Sequence, residues 1–137
     1  MKQLGPSLVL LCLLVVGCSI ERTQLVGHYR AEYSFGFDEI DLRSNGTFTQ
    51  TAEAVVEGVK RRATVSGTWT IEAAEGTFGE RLSLRPLLWV ENGVGKLHPK
   101  FGSVGEGGGI MAFGREWGVG RIYLGGGNGY PHRWVDK

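Results

Sequence analysis

Three histidines, two cysteines and a few paired carboxylates are the side chains of this chain that could do chemistry. No two of His28, His98 and His132 stand at the His-x-x-x-His spacing that puts two imidazoles on one metal, so no metal site is expected. His28 falls on the polar side of an alternating stretch, and all three histidines read as solvated surface residues. The pairs Asp38/Glu39 and Glu72/Glu75 read as solvated groups at strand ends. A nucleophile elbow of the form Gly-x-Ser-x-Gly does not occur. The glycine-rich stretches "GSVGEGGG" and "LGGGNG" lack the spacing of a phosphate-binding loop, and no helix is expected after them, so they read as flexible loops or bulges. No residue set supports an enzyme, and no cofactor is expected.

Of the cysteines, Cys18 has the more informative surroundings, "LLVVGCSIER". An apolar run from Leu8 to Gly17 follows a start whose one charge is Lys2. The run is shorter than the roughly 20 apolar residues that a spanning helix needs. It matches the apolar region of a secretory signal. Val15-Val16-Gly17-Cys18 resembles the lipobox of bacterial lipoproteins: aliphatic residue, tolerated valine, small residue, cysteine. That resemblance implies cleavage before Cys18, a thioether-linked diacylglyceryl group on its sulfur and an acyl chain on its new amine. Several acyl chains hold a protein on its membrane where one alone binds marginally. Ser19, rather than Asp, follows the cysteine, which by the family's sorting pattern implies the outer membrane, facing the periplasm. An ordinary signal peptide with Cys18 incidental, or an uncleaved anchor, are the competing readings. The expected organisation is a signal peptide over 1–17, a lipidated tether over 18–24 and one β domain over 25–137.

Charge is balanced, with 15 Lys+Arg against 14 Asp+Glu. The longest basic run, Lys60-Arg61-Arg62, reads as a solvated turn, and no nucleic-acid partner is expected. With Cys12 in the signal and Cys18 lipidated, no disulfide remains, so an exported domain must fold on its core alone. Fourteen of the 23 glycines lie from Gly93 onward, which loosens local preference in that part.

Alternation dominates the chain beyond the signal. Tyr29, Ala31 and Tyr33 share one face of "GHYRAEY"; Ile40 and Leu42 share one face of "FDEIDLR". Phe48, Gln50, Ala52 and Ala54 do so in the next stretch, then Val65, Gly67, Trp69 and Ile71, then Leu82 and Leu84. One wet face per strand predicts an antiparallel sheet. At "RSNGT", a two-residue Asn45-Gly46 turn would put Arg43 beside Phe48 and mix the faces. A three-residue loop with Gly46 in the left-handed region pairs Leu42 with Phe48 and Ile40 with Gln50, and keeps them apart. The three-residue loop is therefore predicted. "PLLWV", "GGIMAFGREWG", "GRIYLGG" and "YPHRWV" read as further short strands. The fold class is all-β: an antiparallel up-and-down meander of about eight short strands, in a closed or partly open barrel.

Gly27-His28-Tyr29, the hairpin Leu42 to Phe48 and Gly67-Thr68-Trp69 together resemble the small lipocalin-like domains of bacterial lipoproteins, over roughly residues 25 to 85. The resemblance implies a barrel, and a late-strand arginine, Arg121 or Arg133, packed on the first aromatic. Tyr29, Tyr33, Gln50 and Trp69 carry polar atoms on the apolar face. They either satisfy one another in the core or line a pocket. The expected function is a non-catalytic envelope module that binds a small apolar or amphipathic ligand around these residues. The alternative is a filled β domain that binds an envelope protein, as an assembly factor or inhibitor would. An interior filled by Trp69 and Phe48 without a void would favour the second.

Overall fold

The alternating stretches become strands whose inward residues are those with apolar periodicity. The computed structural model describes residues 20–73, 80–116, 120–125 and 131–135. A single-turn helix, α1 (Arg22–Leu25), precedes β1 (Gly27–Tyr33), β2 (Gly36–Leu42), β3 (Thr47–Val56), β4 (Val59–Ala73) and β5 (Glu80–Arg85). Two short strands follow, β6 (Leu87–Leu88) and β7 (Val104–Gly105). The chain then forms β8 (Gly109–Met111), β9 (Phe113–Arg115), β10 (Ile122–Leu124) and β11 (His132–Trp134).

Nine strands make one antiparallel sheet in the order β8-β5-β4-β3-β2-β1-β11-β10-β9. Its two edges are a single stretch of chain interrupted at Ala112: β8 pairs with β5, and β9 with β10. The sheet is thus a nearly closed up-and-down barrel whose wall is eight successive stretches of chain, in agreement with the expected fold class. "PLLWV" contains a short strand as expected, but that strand is not part of the wall. Its Leu87 and Leu88 leave the wall and pair with Gly105 and Val104 in a separate two-stranded ribbon.

The β2–β3 turn takes the three-residue form. Leu42 pairs with Phe48 and Ile40 with Gln50. The Arg43 N–H donates to the Thr47 carbonyl at 2.9 Å, and Gly46 has φ +83°, a conformation that side chains rarely adopt. Face separation outweighed the dipeptide's preference for a shorter turn. The run Lys60-Arg61-Arg62 is exposed as expected, yet it lies in β4 rather than in a turn. Lys60 and Arg62 both reach Glu53, at 3.3 and 3.5 Å.

The two ends of the barrel are filled differently. Near the β2–β3 turn, Leu25, Tyr29, Ile40, Leu42, Phe48, Trp69, Leu82 and Leu84 form the main core. Ile20 and Val26 pack against that core, so part of the expected tether is folded onto the barrel from Ile20 onward. Toward the other end, beyond Gln50 and Val65, β3 and β4 turn inward the small residues Ala52, Ala54 and Ala63. The room they leave is taken by the insertion after β5. Leu88 and Val90 pack there against Ala52, with Tyr33, Phe35, Ala63, Val65 and Phe101 around them. The chain crosses the inner face of β4 at Gly67, where a Cβ would lie 2.1 Å from the Arg85 carbonyl oxygen and 2.7 Å from Pro86. Glycine inside this strand marks the close approach of another backbone.

Candidate functional site

At the end covered by the insertion, the wall brings polar side chains into the barrel. Asp38 lies on β2 in the same parity as Ile40 and Leu42, and so points inward; it is 4% exposed. His132, on β11, is likewise 4% exposed. The register of β11 on β1, with Trp134 opposite Tyr29 and Arg133 opposite Arg30, runs on to set His132 beside Ala31. Ala31 in turn pairs with Asp38. A larger residue at 31 would separate the two; alanine lets them meet across the strand between them. The His132 Nε2 stands 2.9 Å from Asp38 Oδ2.

Gln50 completes the cluster. Its Nε2 donates to both Asp38 carboxyl oxygens at 3.1 Å, and its Oε1 accepts the Leu88 N–H at 2.8 Å. The amide therefore joins the wall of the barrel to the backbone of the insertion. With Nε2–H donating to Asp38, the Nδ1 of a neutral His132 ring is an acceptor. That Nδ1 is closed off from solvent and has no hydrogen-bond partner among the described residues.

These groups border a cavity of about 250 Å³. Tyr33, Asp38, Gln50, Glu91 and His132 give it polarity; Leu87, Leu88, Val90, Trp89, Ile110 and Met111 supply apolar wall. Burial, and after it the charges of Asp38 and Glu91, hold the Tyr33 hydroxyl well above the ordinary tyrosine pKa. The Tyr33 ring stacks on Phe35 with centroids 4.8 Å apart. A wider groove of about 600 Å³ lies toward the rim of the opposite end, along Val26, His28, Asp41, Arg43 and Trp134. Its polar groups face one another at the surface, with His28 and Arg43 each 3.8 Å from Asp41.

The four residues expected in the core or a pocket divide evenly. Tyr33 and Gln50 line the cavity. Tyr29 and Trp69 do not, and belong to the packed end. The Tyr29 hydroxyl donates to the Leu25 carbonyl at 2.7 Å, and Trp69 Nε1 donates to the Arg43 carbonyl at 2.8 Å. Arg22 lies 4.0 Å above the Trp69 ring. Arg133 pairs with Glu116 at 2.9 Å. Cys18 and Glu75 lie outside the described residues.

Two residues of the cluster depart from the sequence expectation. His132 is buried rather than solvated, and Asp38 is an inward carboxylate rather than an exposed one at a strand end. Parity carried the signal for both: Asp38 is two residues before Ile40, and His132 two before Trp134. The polar type of each side chain argues for the outer face and its position for the inner one, and position prevails. Of the other histidines, His28 lies 3.6 Å from Glu39, and His98 stacks on Trp89 with centroids 4.8 Å apart. Among the described residues no group of three or more His, Cys, Asp or Glu could hold a metal ion.

No protein-family model, no curated protein and no solved structure matches the chain. The functional reading therefore rests on the residues themselves.

Proposed function

We propose that this chain is a lipid-anchored lipoprotein of the bacterial envelope whose barrel holds a small amphipathic molecule, without catalysing a reaction on it. One observation carries the ligand reading: a buried cluster, Asp38, Gln50 and His132, borders a cavity whose remaining walls are largely apolar. A few fixed polar groups in an apolar concavity are the usual make-up of a small-molecule site. The cavity's 250 Å³ falls just below the roughly 300–1,000 Å³ of common ligand pockets, which favours a compact molecule over a long acyl chain. The packed core around Trp69 and Phe48 argues the same way, since it stops a ligand from threading the barrel.

For the anchor, the support is the Val15-Val16-Gly17-Cys18 pattern. With Ile20 packed on the core, a lipidated Cys18 would be tethered through little more than Ser19. The packed end would then face the membrane and the cavity would face away, into the periplasm for an outer-membrane protein. Among the described residues no helix is long and apolar enough to cross a membrane. A second reading, a protein-binding envelope factor, is favoured by exposed Trp89, Val94, Val104 and Ile110, all in or beside the insertion.

Native mass spectrometry of the purified chain tests the ligand reading. A co-purifying small molecule lost on Gln50→Leu is the expected result, and a protein partner held through Trp89 would favour the second reading. Cys18→Ser is expected to abolish membrane retention and leave the precursor uncleaved; a cleaved mutant still held on the membrane would sink the anchor.

A further inference from the structure

We infer that the cavity selects a small organic cation, a protonated amine with a short apolar or aromatic body. The inference rests on the ligand-binding reading and names the charge of the ligand. Two carboxyl groups, Asp38 and Glu91, line the cavity, and no lysine or arginine is among its described lining residues. Both carboxyls act on one point inside it, the Tyr33 hydroxyl, whose proton they help to hold. An anionic ligand would be repelled at that point, and an ammonium attracted.

The hydrogen-bonding capacity of the site points the same way. The amide of Gln50 is engaged at both ends, its nitrogen by Asp38 and its oxygen by the Leu88 N–H. The lining brings no cationic donor of its own among the described residues. His132 is buried, its ring lines the cavity, and its Nδ1 has no partner among the described residues. In the neutral ring whose Nε2–H is on Asp38, that atom is an acceptor. An ammonium brings only donors, so it complements the two carboxyls. Glu91 is held for this task by the loop that follows it: its Oε2 accepts the N–H groups of Gly93 and Gly95 at 2.8 and 2.9 Å. Tyr33 and Trp89 add aromatic wall, and a cation is attracted to an aromatic face. Leu87, Ile110 and Met111 receive the apolar body.

Three probes that share one skeleton and differ in charge separate the possibilities: benzylamine, benzyl alcohol and benzoate. Titration calorimetry on the full purified chain is expected to give benzylamine an affinity about tenfold or more above that of the alcohol, with benzoate not binding. Glu91→Gln, at a half-buried position that keeps an acceptor for Gly93 and Gly95, should weaken benzylamine about tenfold and leave the alcohol unchanged. Asp38→Asn should do the same if it folds, and Glu91→Gln decides the matter if it does not. Alcohol or benzoate binding as tightly as the amine overturns the cation and leaves the cavity a ligand site. An equal loss of amine and alcohol in Glu91→Gln overturns the charge argument. Binding of none of the three, in a chain with native fluorescence, counts against the cavity itself and takes the inference with it.

Discussion

The two ends of this barrel bury polar atoms by different rules. At the end near α1, the polar atoms of the buried aromatic side chains meet backbone carbonyls: Tyr29 on Leu25, Trp69 on Arg43. Large side chains fill the space, and the polar atoms serve packing by closing the loops and helix against it. At the end under the insertion, side chains meet side chains: Asp38 with His132 and Gln50. Small residues, Ala31, Ala52 and Ala63, leave room there, and a cavity remains beside the cluster. Buried polar clusters gain little stability over an apolar core of the same volume, even when their members are paired. The first end is built to hold the fold, and the second retains polar groups that stability alone does not explain.

The sharpest way to break this contrast is to remove a filler from the packed end. Trp69 is 1% exposed and meets the Gly46 carbonyl, the Arg43 carbonyl and the Arg22 guanidinium. Trp69→Ala is expected to cost about 4 kcal/mol, in the range of aromatic-to-alanine changes in cores. Urea denaturation measures it. A loss under about 1 kcal/mol would mean that this end collapses freely and is no more specialised for packing than the other.

A smaller effect, with a sign that discriminates, is expected at the cavity. His132→Leu removes one partner of a buried carboxyl and should cost about 3 kcal/mol. Replacing both partners, Asp38→Leu with His132→Leu, should return stability to within about 1 kcal/mol of the parent or exceed it. Gln50 keeps its bond to the Leu88 N–H in that double variant. Ligand binding should be lost in the double variant whether or not stability recovers. Single losses that simply add would make the cluster a structural element like the packed end.

Much of the packed end was legible in the sequence, and little of the cavity was. Alternation identified Tyr29, Ile40, Leu42, Phe48 and Trp69 as inward, and the clash of Arg43 with Phe48 decided the β2–β3 loop. Those inferences need only neighbours on one or two strands. The cluster needs more. Asp38 and His132 are 94 residues apart and meet because Ala31 separates them by so little. The insertion that roofs the cavity is irregular, rich in glycine and without a period to read. Its entry point was hidden too, since Gly67 reads as part of a Gly-x-Trp strand and reveals the crossing of Pro86 only in three dimensions.

The smallest effect distinguishes the two ends by pH. Burial holds the Tyr29 hydroxyl well above the ordinary tyrosine value, and burial with nearby carboxyls does so for Tyr33. A tyrosine in the unfolded chain releases its proton near pH 10, while these two keep theirs in the fold. Above about pH 10 the folded state therefore binds more protons than the unfolded one, and stability falls as pH rises. Below that value their contribution is fully present. Tyr29→Phe is expected to cost about 1 kcal/mol near neutral pH, through the lost bond to the Leu25 carbonyl. It should also make the fall above about pH 10 shallower. Tyr33→Phe should flatten the same limb. Only for Tyr33 should a bound benzylamine, set against Asp38 and Glu91, change the slope, because Tyr29 has no place in the cavity lining. Urea denaturation of both variants from about pH 8 to 11, with and without the amine, reads this directly. A slope that the amine alters equally through Tyr29 and Tyr33 would show the two ends to be electrostatically one.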